Sequence, residues 1–123
     1  MAEIVKVIIA GSRNFEHYQL LKFKCDAILK ELKSKGEVQI VSGCANGADK
    51  LGERYASENH YICKRFEPDW GKNGKSAGFI RNEEMAKYSD YLIAFWDGQS
   101  KGTKHMIDIA AKYNVKTRII KFA

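Results

Sequence analysis

The chain has 123 residues, a formal charge of +6, 45% apolar residues and three cysteines. That size fits a single domain spanning residues 1–123, able to bury about two-thirds of its unfolded surface without staples. No apolar run approaches the roughly 18 residues of a membrane-spanning helix, no basic-then-apolar leader opens the chain, and Cys25, Cys44 and Cys63 are odd in number and lack the short spacings of zinc sites, so a soluble cytoplasmic protein with reduced thiols is expected.

In chain order, Glu3 to Ala10 is a β-branched run with little polar alternation, which predicts a central strand covered on both faces. After Gly11, the apolar residues Tyr18, Leu21, Cys25, Ile28, Leu29 and Leu32 recur at three- and four-residue intervals and predict a helix, with Gly36 as its left-handed terminator. Val38 to Val41 predicts a second strand. The next helix shows a narrow apolar face of Ala48, Leu51, Tyr55 and Ala56 and ends at Asn59. Tyr61 to Phe66 carries Lys64 and Arg65 and predicts an edge strand, with His60 at the surface before it.

Glu67 to Ser76 lacks hydrophobic period, contains Pro68 and predicts a long exposed loop. Its Gly74-Lys75-Ser76 end is no P-loop, because Asp69 stands where that pattern needs a glycine. Trp70 either stacks on a base or pins the loop to the domain. Ala77 to Ser89 returns to a helical pattern through Ile80, Met85, Ala86 and Tyr88. Arg81 lies one turn before Met85, so it either snorkels to solvent or points into a polar cleft. Tyr91 to Trp96 predicts a covered strand. Thr103 is read as the cap of the last helix, whose Met106, Ile107, Ala110 and Tyr113 face the sheet, and Val115 to Phe122 predicts the fifth strand. His17 and His105 fall in helical segments and read as surface residues.

Alternating strands and helices describe an α/β fold, a Rossmann-like doubly wound parallel sheet with helices on both faces. Right-handed crossovers and a strand order of 3-2-1-4-5 place the ends of the first and fourth strands at the switch point, where ligands bind. Three small-residue turns follow strands: Gly11 to Phe15, Ser42 to Asp49 and Asp97 to Thr103. Each precedes a helix start, where unpaired N–H groups favour anions, and the topology brings all three to one pocket.

These turns also carry a resemblance. Gly-Ser-Arg-x-Phe at Gly11 to Phe15, Ser-Gly-x-Ala-x-Gly-Ala-Asp at Ser42 to Asp49, Ala-Gly-x-x-Arg-Asn at Ala77 to Asn82 and Trp-Asp-Gly-x-Ser-x-Gly-Thr at Trp96 to Thr103 resemble the YspA-type, cpYpsA-related branch of the SLOG superfamily, named for the Smf/DprA and LOG proteins. The resemblance spans nearly the whole chain. It implies a Rossmann-like domain for nucleotides or nucleotide-derived ligands, ADP-ribose-like compounds included, and suggests a homodimer. Gly98, Ser100, Gly102 and Thr103 resemble the phosphate loop of LOG enzymes, and Arg81 with Met85 resembles their Arg-Lys-x-x-Met segment. Two departures stand out: Met106 replaces the catalytic glutamate, and Asn82 replaces the lysine.

The first functional expectation is therefore a nucleotide-binding module without an assigned cofactor or metal. Its ligand set is Gly11, Ser12, Arg13, Ser42, Gly43, Ala45, Gly47, Asp49, Arg81, Asn82, Asp97, Gly98, Ser100, Gly102 and Thr103, in which the arginines suit forked phosphate contacts. The second is a nucleotide N-glycosidase in which Arg81 steers phosphate and Asp97 or Asp49 stabilises the ribosyl cation. The third is DprA-like binding of single-stranded DNA. Nucleic acid ranks below a small nucleotide, because Lys and Arg are dispersed among acids and look like a solvated surface.

Overall fold

The structure is a computed structural model and describes residues 3–122. Five strands, β1 (Ile4–Gly11), β2 (Glu37–Ser42), β3 (Ile62–Arg65), β4 (Tyr91–Trp96) and β5 (Lys116–Lys121), form one sheet in the order β3-β2-β1-β4-β5. Every pairing is parallel, and Ile8 of β1 sits in register with Val41 of β2 and Leu92 of β4. The helices are α1 (Tyr18–Leu32), α2 (Ala48–Glu58), α3 (Trp70–Asn73), α4 (Ala77–Tyr88) and α5 (Lys101–Lys112). The fold class and strand order expected from the sequence are those observed.

Alternation along the strands divides the core in two. Val5, Val7 and Ile9 of β1 join Leu21, Cys25, Leu29, Ile40, Tyr55 and Phe95 under α1 and α2. Ile8 and Ala10 face the other way, onto Val41, Met85, Leu92, Met106 and Ala110 under α4 and α5. Cys25 is fully buried, and burial pushes its thiol up to about 12, so it is inert packing. The edge strand β3 exposes Ile62, Lys64 and Arg65, as its charges require.

Four details depart from the sequence reading. Gly36 does not terminate α1, which closes at Lys33 in right-handed conformation; a Cβ at Gly36 would lie 2.3 Å from the Glu3 carbonyl oxygen, so close approach to β1 selects it. Residues 67–76 are not an open loop but hold α3 and a 3-10 turn, because the Asp69 carboxylate accepts from Lys72 N at 3.0 Å and caps them. Ser100, three residues before Thr103, caps α5 by accepting from its N–H at 3.4 Å. His17 precedes α1 as its cap, accepting from Leu20 N through Nδ1 at 3.1 Å.

Candidate functional site

At the carboxyl ends of β1 and β4 the structure leaves a hollow of about 70 Å³. Its floor is apolar, built from Ala10, Met85 and Met106, and its walls bring together Gly11, Arg13, Ala45, Asp49, Arg81, Asn82, Ser100, Gly102 and Thr103 from four separate segments. Met106, which the resemblance sets in place of a glutamate, thus lies on the floor.

The remaining expected residues lie behind these walls. Ser12 is buried and ties the three turns together: its hydroxyl accepts from Asp97 N at 3.2 Å, and its carbonyl accepts from Phe15 N and Ala48 N. Ser42 donates to Glu53 Oε2 at 2.6 Å and accepts from Cys44 N at 3.1 Å. Gly47 adopts φ +80°, and a Cβ there would strike the Ser12 carbonyl oxygen at 2.3 Å. Gly98 turns the chain beside Lys121. Asp97 does not line the hollow, since its carboxylate accepts from Gln99 N and Ser100 N at 2.8 Å each. Those bonds hold its pKa below the ordinary carboxylate value. Asp108 pairs with Lys104 at 2.8 Å. Asp49 is therefore the carboxylate among those weighed for N-glycosidase chemistry that reaches the hollow.

Asp49 and Arg81 converge over Gly43, where a Cβ would lie 2.9 Å from Asp49 Oδ2 and 3.1 Å from Arg81 Cζ. Burial pushes the Asp49 carboxyl up to about 6, opposed by the Ala45 N–H that it accepts at 3.2 Å and by the Arg81 charge. Arg81 is also buried, which lowers its pKa against the pull of Asp49. It donates through Nη1 to the Gly43 carbonyl and through Nε to Asn82 Oδ1 at 3.0 Å. Of the two orientations open to Arg81 from the sequence, it takes the one facing the cleft.

A wider groove of about 510 Å³ continues outward from the hollow and shares Arg13, Ala45 and Arg81 with it. Lys50, Arg65, Cys44, Glu67 and the exposed Trp70 line the rest. Glu53 pairs with Arg65 at 3.3 Å and Lys50 at 3.9 Å, and Glu67 pairs with Arg65 at 3.0 Å. Lys50 and Arg65 were not singled out from the sequence. The available signal was position: Arg65 is in register with Ser42 at the carboxyl end of β2. Among the described residues no group of three or more His, Cys, Asp or Glu side chains could hold a metal ion, and no helix is long and apolar enough to cross a membrane.

Sheet order and the polar hollow at the switch point define a Rossmann-like α/β domain. The model of the YspA, cpYpsA-related SLOG family matches residues 5–72, and the chain belongs to that family. It is 33% identical over 117 residues to the Gene 61 protein of Mycobacterium phage D29, covering 89% of this chain and 91% of that one. DNA processing protein A from Helicobacter pylori, whose structure was described for a unique single-stranded DNA binding mode, shares the fold with a TM-score of 0.71 and 21% identity over 97% of this chain. This chain covers 66% of that protein's chain.

Proposed function

We propose that the hollow binds the phosphate of a nucleotide or nucleotide-derived ligand, with the rest of the ligand lying in the outer groove toward Trp70. The observation that carries this reading is Arg81, a cation only 8% exposed that lines both cavities. A buried arginine costs desolvation, and an incoming phosphate recovers that cost through charge-assisted, forked hydrogen bonds. Arg13 adds a second cation, while Ser100 and Thr103 bring hydroxyls and the start of α5 to the same walls.

Thermal unfolding against a panel of nucleosides, nucleoside phosphates and ADP-ribose tests the proposal. A ligand that binds the folded state raises the melting temperature as its concentration exceeds Kd. Phosphorylated compounds should do so, unphosphorylated nucleosides should not, and Arg81→Ala should abolish the shift. A panel without any shift would refute the reading.

A second reading, single-stranded DNA, is supported by the groove itself. It places Arg13, Lys50 and Arg65 around an aromatic face, the combination that tracks a phosphate backbone while stacking a base. Anisotropy titration of an oligothymidylate should show affinity falling with salt at about −0.7 per phosphate contacted on a log–log scale. Trp70→Ala should weaken binding. A flat salt response would set this reading aside.

A further inference from the structure

Arg81 does not hold its place alone. Its Nε donates to Asn82 Oδ1, and the Asn82 amide nitrogen donates onward to the Gly102 carbonyl at 3.3 Å and contacts His105 Nδ1 at 3.1 Å. An amide rotated by half a turn would set N–H against N–H at Arg81 and oxygen against oxygen at Gly102, so Asn82 has one acceptable orientation. In that orientation it presents a donor to His105. The imidazole must then be neutral, bare at Nδ1 and protonated at Nε2. Phe79 stacks on the ring with centroids 4.2 Å apart and planes at 24°, which holds its tilt.

Building on the nucleotide-binding reading, we propose that His105 is a positioning residue for the hollow: its neutral Nδ1 orients Asn82, Asn82 orients Arg81, and protonation of the ring releases both and weakens the grip on phosphate. A protonated ring would set N–H against the Asn82 N–H, and the amide cannot turn to answer it without abandoning Arg81 and Gly102.

The groups around His105 agree with a neutral ring near pH 7. Glu83 on α4 and Asp108 on α5 both favour the imidazolium, but Glu83 accepts from Tyr113 Oη at 2.9 Å and Asp108 is paired with Lys104. Burial outweighs them and lowers the ring below its ordinary value. Facing Arg81 are Asp49 from α2, Arg13 from the first turn and Cys44 from the second. Asp49 titrates with the opposite consequence, since its protonation removes negative charge from the hollow and strengthens anion binding. The contribution of His105 is therefore read from a variant that leaves Asp49 in place.

The experiment measures Kd for ADP-ribose and for an oligothymidylate, neither of which has a phosphate that takes up a proton between about pH 5 and pH 8. Wild type, His105→Gln and His105→Leu are compared. Glutamine offers Asn82 an acceptor that never titrates; leucine offers none. The affinity ratio of wild type to His105→Gln should be near unity at the alkaline end and fall about tenfold at the acid end. His105→Leu should bind weakly throughout. A constant ratio across the range overturns the proposal, and so does wild-type affinity in a folded His105→Leu. If neither probe binds wild type at any pH, the failure lies with these two compounds as ligands of the site and not with the relay. The relay is then tested in the free protein by NMR: the Arg81 Nε–H and Asn82 side-chain resonances should move with the His105 titration, and resonances that stay still refute it.

Discussion

The β2–α2 and β4–α5 turns share a vocabulary of glycine, serine and aspartate, yet the structure uses them in opposite ways. In the first, Asp49 is buried and its carboxylate faces the hollow, while Gly47 lies against the backbone of Ser12 and Arg13. In the second, Asp97 bonds its own turn, Ser100 caps α5, and a Cβ on Gly102 would meet no atom within 4 Å. One turn puts a buried, hydrogen-bonded carboxylate beside the site, where its desolvation works against stability. The other satisfies itself and offers the site its backbone and hydroxyl groups.

The sharpest way to break the contrast is Gly47→Ala. The new methyl would meet carbonyl oxygens of Ser12 and Arg13 at 2.3 and 2.5 Å, in a conformation with φ +80° that L-residues avoid. Since the obstacle is backbone, relief requires moving the first turn away from the second, and a loss of about 3 kcal/mol or more is expected. Urea denaturation measures it. A loss under about 1 kcal/mol would mean that the two turns are not locked together as described.

Asp49→Asn comes next and acts with the opposite sign. The Asp49 pKa is about 6 in the folded chain, above the roughly 3.9 of an unfolded aspartate, so the folded state holds its proton longer. Its contribution to stability is full below about pH 4 and is lost as pH rises through about 6. The asparagine variant should lack this decline and be more stable than wild type at pH 7 by about 1–3 kcal/mol. Denaturation midpoints followed across that range decide it; parallel curves would show that Asp49 is not strained by burial. The same variant should alter anion affinity, linking the stability cost to the site.

How much of this was legible beforehand follows from where the information lies. The strands β1, β2 and β4 announced themselves because both their faces are covered and their apolar runs are broken only by Lys6 and Gln39, and the topology followed from right-handed crossovers. Convergence of the turns on one hollow followed in turn from topology. What the sequence withheld is pairing between distant residues: Asn82 and His105 are 23 positions apart, and nothing in either helix marks them as partners. The pairing of Arg65 with Glu53 was invisible for the same reason. The α3 segment was missed because its order comes from a single Asp69 cap and not from an apolar stripe. Asp97 and Asp49 looked alike as carboxylates; burial and local N–H groups, which only coordinates reveal, separate them.

Ser100→Ala probes the self-satisfied turn. It removes the hydroxyl that accepts from the Thr103 N–H and from the Thr103 hydroxyl at 3.1 Å, and should cost about 1 kcal/mol as a lost helix cap. Because Asp97 accepts from the Ser100 backbone, that part of the turn survives the substitution. Fraying confined to the start of α5, seen as faster amide exchange there and not in α2, is the expected signature.

Gly102→Ala gives the smallest effect and contrasts most directly with Gly47→Ala. Gly102 lies within α5, where glycine is a poorer helix residue than alanine, and its Cβ direction is open. Packing therefore predicts a gain of about 0.5 kcal/mol, read as a small rise in denaturation midpoint. On the proposed function, the open space beyond the Gly102 Cα, in a wall of the hollow, is where the ligand approaches. The substitution should accordingly weaken phosphate binding while strengthening the fold, and a variant that gains stability without any change in affinity would show that the ligand does not approach this wall.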